Sequence, residues 1–444
     1  VRAGRAATSI ALIVLASLAL AYAYLFDRAG THEPDPAGGG AHVFPGLDGT
    51  SVRSIVLERG VDRLALERAS DGGVPWAMTS PYAEPADPAS VDALVGDLAA
   101  VVRLRDASLD PAAAGMGRLR GRILLGDRTV AFALGGPAPV PEGASYMTVD
   151  DSAVFVVGKL LTEDLLRGPD AYRDRLLVPY GAPEAHRVEL RDAESDGGIV
   201  LTRSGATFRI AGPLRADREA VERLFAALAD ARAGSFLAAD AGSATQSAAL
   251  SLTIDAISPM RPQVALAFGG PCPGDADEVA VTATAASVRR SACVPKTVPD
   301  ALRAAEATIV DSGLFHARSD EITELRFEPV DPKGAALDLA RKGRGWHERS
   351  PDDRELEGSD ADAANALAER LTSHRATEVR AGLDGEPFAA RARVTVVGVD
   401  GVSEAIEVGP PRPDGTLLVR RDDDGALLSM PKDAARDLAA RTPR

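Results

Sequence analysis

The chain has 444 residues, too many for one ordinary domain and suited to two to four. Hydrophobic residues make up 45%, enough to fill real cores, and this argues against global disorder. A formal net charge of −15 and the absence of a basic stripe argue against a surface that tracks nucleic-acid phosphates, so no nucleic-acid partner is expected.

From Ala6 to Phe26 there is no charged residue. At about 1.5 Å of rise per residue, such a run can cross a hydrocarbon core of roughly 30 Å. Arg2 and Arg5 precede it, and Asp27, Glu33 and Asp35 follow it with only Arg28 in compensation. Positive charge is retained on the cytoplasmic side of a bilayer, so the N-terminus is expected inside and the bulk outside. Residues 1–28 are thus predicted to be the anchor of a single-pass protein of the bacterial inner membrane, with a periplasmic or other extracytoplasmic C-terminal bulk. The competing reading is a cleaved signal peptide, since Ala21-Tyr22-Ala23 has the small-x-small form of a cleavage site. Tyr24-Leu25-Phe26 keeps the run apolar past that site, which favours the anchor. Residues 29–44 are read as a stalk, being rich in Pro, Gly and charge.

Beyond the stalk the chain repeats itself three times. Val52, Ile55 and Leu57 open a strand pair, completed by Leu64-x-Leu66-x-Arg68 and followed by Trp76. Ala86-Asp87 then leads into a helix with an apolar stripe at Val91, Leu94 and Leu98, where Asp87 is a plausible N-cap. A later strand reaches Leu134-Gly135-Gly136-Pro137, where Gly and Pro are expected to end it. The copy closes on Val157-x-Lys159, with Leu165 six residues beyond the lysine.

The second copy reads Ala185, Val188 and Leu190, then Ile199-x-Leu201-x-Arg203 and Phe208. Its helix starts at Ala216-Asp217 with Val221, Leu224 and Leu228, its bend is Gly269-Gly270-Pro271, and its closure is Val294-x-Lys296 with Leu302. The third reads Ile322, Leu325 and Phe327, then Leu337-x-Leu339-x-Arg341 and Trp346. It continues with Ser359-Asp360, Ala364, Leu367 and Leu371, then Gly409-Pro410-Pro411, and closes on Met430-x-Lys432 with Leu438. Lysine is scarce in this chain, yet Lys159, Lys296 and Lys432 occupy equivalent places, 137 and then 136 residues apart. Asp87, Asp217 and Asp360 form a second equivalent set.

Each unit is read as β-β-α, a meander of about four strands and a short closing helix. The expected fold class is α+β: an N-terminal transmembrane helix followed by three repeated modules, each an antiparallel sheet with helices packed on one face. Module boundaries are placed at 45–178, 179–315 and 316–444.

The order of strand, L-x-L-x-R, Trp, Pro, Ala-Asp and amphipathic helix, with the Lys-x5-Leu closure and Tyr172-Arg173-Asp174-Arg175-Leu176-Leu177, resembles domain-of-unknown-function family 4340. The resemblance covers essentially everything after the stalk. It implies a bacterial envelope protein of the kind often encoded beside ABC transporters of the gliding-motility type, hence an accessory role with permease or ATPase partners. It supplies no catalytic residues.

The residues themselves carry little chemistry. No two of the six histidines stand at helical spacing, so neither a metal nor another cofactor is expected. Asp422-Asp423-Asp424-Gly425 lacks the acid an EF-hand needs six residues after its Gly, where Pro431 stands, and is read as a hairpin turn. There is no G-x-S-x-G elbow, and Gly158-Lys159-Leu160 lacks the rest of a P-loop. The repeated lysines are read as structural, their stems lying along apolar surface, with anion contacts as the alternative. Trp76 and Trp346 are read as core aromatics rather than a ligand platform. Cys272 and Cys293 flank two strands of one meander, and in an oxidising compartment they are expected to form a disulfide; two buried thiols are the alternative.

The functional expectation is a non-enzymatic, membrane-anchored interaction or scaffold protein accessory to an ABC-type transporter complex. The alternatives are an envelope glycan or peptidoglycan binder, and an enzyme with dispersed carboxylates.

Overall fold

The computed structural model describes residues 41–439 apart from 70–74, 194–197, 206, 211, 239–247, 332–335, 344 and 383–387. The expected anchor and most of the stalk lie outside the described residues. Among those described, no helix is long and apolar enough to cross a membrane. The chain divides after Asp174 into two compact units.

The first unit contains one antiparallel sheet. Its elements are β1 (Val52–Arg59), β2 (Asp62–Arg68), β3 (Trp76–Ser80), β4 (Glu84–Pro85), α1 (Pro88–Ala100), β5 (Arg105–Asp106), β6 (Leu119–Leu125), β7 (Arg128–Pro137), β8 (Ser145–Val149), β9 (Phe155–Val157) and α2 (Lys159–Leu166). The strand order is β4-β3-β2-β1-β6-β7-β8-β9-β5.

The second unit contains two more sheets. One is built from β10 (Ala185–Asp192), β11 (Ile199–Ser204), β12 (Thr207–Ile210), α3 (Arg218–Ala229), β13 (Ser235–Phe236), β14 (Leu250–Ala256), β15 (Val264–Cys272), β16 (Asp275–Ala285), β17 (Val288–Pro295) and α4 (Thr297–Ala307). The other is built from β18 (Ile322–Pro329), β19 (Leu337–Lys342), β20 (Gly345–Ser350), β21 (Arg354–Leu356), α5 (Ser359–Ser373), β22 (Glu378–Arg380), β23 (Ala392–Gly398), β24 (Ser403–Pro411), β25 (Leu417–Arg421), β26 (Leu427–Met430) and α6 (Lys432–Ala439). Their orders are β12-β11-β10-β14-β15-β16-β17-β13 and β21-β20-β19-β18-β23-β24-β25-β26-β22.

These three orders are one topology. Among the described residues the second sheet lacks only the outermost two- or three-residue strand. Even there, Ala216 N donates to the Phe208 carbonyl at 3.1 Å, as Ala86 N does to that of Trp76 at 3.0 Å. Register repeats as well. Ile55 faces Leu66 and Ile123, Val188 faces Leu201 and Ile254, and Leu325 faces Leu339 and Val396. Alternation buries these residues on one face, where they form a single core with the stripes of α1 and α2, of α3 and α4, or of α5 and α6.

The L-x-L-x-R arginine has a defined job in each copy. Arg68 donates to the carbonyls of Val52 and Gly49, Arg203 to that of Ala185 at 2.7 Å, and Arg341 to that of Ser319 at 3.1 Å. Each guanidinium also stacks on the aromatic that follows, 4.6 Å from the Trp76 ring, 4.6 Å from Phe208 and 4.9 Å from Trp346. One side chain thereby ties the chain entering the first strand to the third strand.

One local expectation is corrected. The aromatic does not follow a two-strand hairpin; it lies in a third strand, β3, β12 or β20. The Gly-Pro bends do end their strands, each with a bulge just before the end. β7, β15 and β24 run on to Pro137, Cys272 and Pro411, with one extra residue bulged out between Leu134 and Pro137, Phe268 and Pro271, and Val408 and Pro411. Gly135 is required there because a Cβ would lie 2.5 Å from the Ala114 carbonyl oxygen.

Candidate functional site at the junction of the second and third sheets

The second and third sheets belong to one unit, and the residues that join them are charged and buried. Arg215, just ahead of α3, pairs through its guanidinium with Asp311 at 2.7 Å and Glu404 at 2.8 Å, with Asp423 at 3.8 Å. Its backbone N–H donates to Asp424 at 3.0 Å. Arg421, 1% exposed at the end of β25, pairs with Asp424 at 2.6 Å and donates to the carbonyls of Asp311 and Gly313. Glu404 accepts from the backbone N–H groups of His316 and Ala317 at 2.7 and 2.9 Å. Two guanidinium groups and their carboxylates are therefore cross-linked through the segment that leads from one sheet to the next. Burial of such charges is tolerable only with this degree of pairing and hydrogen bonding.

The surrounding electrostatics follow from the same groups. Burial and the Arg215 guanidinium hold the His316 imidazole below its usual range, against the pull of Asp311 and Glu404. Burial weakens Arg218, but Glu321 and Glu222 outweigh it and raise that guanidinium above its ordinary value. Beside the network lies a groove of about 330 Å³, lined among others by Asp217, Arg218, His316, Arg318, Glu369 and Arg375. Its walls are the N-terminal turn of α3, the connecting segment and the C-terminal turn of α5. A mixed-charge groove of this size accepts a polar ligand or a partner side chain; among the described residues it holds no nucleophile paired with a base.

Of the residues singled out in the sequence, Asp217 lines the groove and Asp423 and Asp424 of the acidic turn reach the network, while the others lie elsewhere. Asp87 and Asp217 cap their helices, accepting from Ser90 N at 2.9 Å and Ala220 N at 2.8 Å, and Asp217 also lines the groove. Asp360 departs from that pattern. α5 starts two residues earlier, behind Gly358 at φ +54°, so Asp360 sits inside the first turn and pairs with Arg354 at 2.9 Å. Lys159 and Lys432 open α2 and α6, and Lys296 immediately precedes α4; all three are exposed. The stems of Lys159 and Lys432 cover turn glycines Gly143 and Gly415, where a Cβ would come within 2.8 and 3.2 Å of them.

Cys272 and Cys293 are joined by a disulfide with an S–S distance of 2.00 Å. With Glu278 they form a three-donor group, but the sulfurs are bonded to each other rather than free for a metal. Trp76 and Trp346 are 0% and 1% exposed, and their indole N–H groups donate to Asp92 and Asn365 on the covering helices. Neither presents a face to a sugar.

Arg215, Asp311, Glu404 and Arg421 escaped the reading of the sequence, although two of them left a mark in it, and Asp424 was read only as part of a turn. Glu404 is in line with Ile406 and Val408, and Arg421 with Leu417 and Val419, so both charges fall on inward positions of their strands. The equivalents of Glu404 in the other copies, Val130 and Val264, are apolar.

A family model described as Domain of unknown function (DUF4340) matches residues 76–241 and, a second time, residues 209–393. The matches start at Trp76 of β3 and at Arg209 of β12, equivalent strands of successive copies. No curated protein matches the chain.

Proposed function

The chain belongs to the family described as Domain of unknown function (DUF4340), and on that premise we propose that it is a membrane-anchored extracytoplasmic interaction or scaffold protein, accessory to an ABC-type transporter complex. The observation that carries this reading is the buried Arg215–Asp311–Glu404–Arg421–Asp424 network, which fastens two like-built sheets into one unit beside a polar groove. A charged network placed between modules fixes their register and leaves outer surfaces for partners. It does no chemistry by itself.

Three further points support the reading. The apolar run from Ala6 to Phe26 suits an anchor in the inner membrane, with the modules on the far side. The Cys272–Cys293 bridge suits an oxidising compartment. The ABC-type permease or ATPase as partner rests on the family resemblance alone. In situ crosslinking followed by affinity purification from solubilised membranes tests it. The expected result is co-recovery of permease or ATPase subunits of one ABC-type transporter, lost or reduced with groove variants such as Arg375→Glu. Recovery of the chain alone under those conditions would remove the partner assignment.

A further inference from the structure

The three copies allow one position to be compared under three chemistries. The residue before the last stripe leucine of the long helix faces the residue before the closing leucine of the short one. In the second module these are Ala227 of α3 and Ala301 of α4, which pack within the core. In the third they are Arg370 of α5 and Asp437 of α6, an ion pair at 3.2 Å, with His374 adding a contact to Asp437 at 2.9 Å. In the first they are Asp97 of α1 and Asp164 of α2, two acids joined by a hydrogen bond.

A hydrogen bond between two carboxyl groups requires a proton on one of them, whereas an apolar pair and an ion pair require none. The Asp164 side chain is only 9% exposed, so ionisation of both acids would leave two like charges in a partly dry contact. We propose that Asp97 and Asp164 form a proton-operated clasp that fastens the closing helix of the first module in acid and loosens it in neutral solution.

The groups that face the pair are Arg167, beyond α2, which contacts Asp164 at 2.7 Å; Tyr172, whose hydroxyl donates to the Asp164 carbonyl at 2.8 Å; and Arg59 of β1, which donates to the carbonyls of Leu166 and Arg167. Arg167 favours the ionised form, but burial and the bond from Asp97 outweigh it and push Asp164 up to about 6. A carboxyl raised in the folded state contributes stability that is complete below the ordinary aspartate range and is lost as pH rises through about 6. What loosens is also defined. Asp87 N donates to the Tyr172 carbonyl at 2.9 Å, and Arg173 forms a buried ion pair with Glu84, so α2 anchors the segment by which the chain leaves the first unit. This inference is independent of the proposed partner.

Hydrogen exchange of the full-length chain between pH 5 and 8, corrected for intrinsic exchange rates, tests it. Residues 159–172 are expected to lose protection by roughly tenfold or more as pH rises through about 6. α4, whose equivalent position is Ala301, serves as the comparison and should lose less, its raised acid being the single Glu306 held up by burial and Asp192. Asp97→Asn, which keeps a donor to Asp164 without the second charge, should reduce the loss to the part that burial of Asp164 alone causes. Asp97→Ala, which reproduces the apolar residue the second module has at this position, should do the same. Protection of 159–172 that stays level in the native chain would overturn the proposal, as would an equal loss in both variants.

Discussion

Arg215 and Glu404 meet at 2.8 Å with side chains 7% and 16% exposed, although 189 residues separate them along the chain. Neither charge could be held there alone. Replacing Arg215 with Ala strands Glu404 without its counter-ion and leaves Asp311 with Arg421 alone, at 3.4 Å, and breaking a buried pair from one side typically costs about 3–5 kcal/mol. Urea unfolding should show that loss, with the second and third sheets melting in separate steps. Glu404→Gln keeps an acceptor for only one of His316 N and Ala317 N and should cost less, about 1–3 kcal/mol. A change below about 0.5 kcal/mol for Arg215→Ala would mean that the network does not hold the junction.

The same junction carries a pH dependence of opposite sign to the clasp in the first module. His316 is held neutral by burial and by Arg215 and Arg218, with Asp311 and Glu404 pulling the other way. A histidine whose folded pKa is depressed binds fewer protons folded than unfolded. Its contribution is therefore complete above the ordinary histidine range and lost as pH falls through it. Melting of the second unit should weaken as pH drops from about 7 to about 5, and His316→Gln should flatten that slope. A slope unchanged by the substitution would assign the effect to other groups.

The helix caps provide an internal comparison. Asp87→Ala and Asp217→Ala should each cost about 1 kcal/mol, the usual value of a lost N-cap. Asp360→Ala should cost well under half of that, because its tie is a half-exposed pair with Arg354, the kind that contributes little. Equal losses at all three sites, measured by chemical denaturation, would contradict the placement of Asp360 inside the first turn of α5.

Cys272 and Cys293 close a loop with a sequence separation of 21. On the chain-entropy description that cross-link contributes about 3 kcal/mol. A Cys272→Ser, Cys293→Ser double variant should lower the melting temperature of the second unit and leave the first where it was. Scanning calorimetry of the full chain reads both, and an unchanged second unit would show that the bridge adds nothing.

The repeat was legible because its landmarks are side chains that must sit on one face. The alternation at Ile55 and Leu57 and the stripe Val91, Leu94 and Leu98 each have many residues in which to declare a period. β5, β13 and β22 span two or three residues, too few to show one, and so passed unseen. The junction was hidden for another reason. Asp424 stands in a run of acids that reads as a solvated turn, and it is such a turn, yet its last acid faces inward to Arg421. Glu404 and Arg421 did break the inward pattern of their strands. What the sequence could not supply was the partner, Arg215, from a neighbouring module.

The side of the membrane on which the three modules fold is the premise of the functional reading and can be measured directly. A reporter that matures only outside the cytoplasm, such as alkaline phosphatase, should be active when fused after α6, while a cytoplasmic reporter at the same position should be silent. The reverse pattern would place the modules in the cytosol and contradict the proposed role.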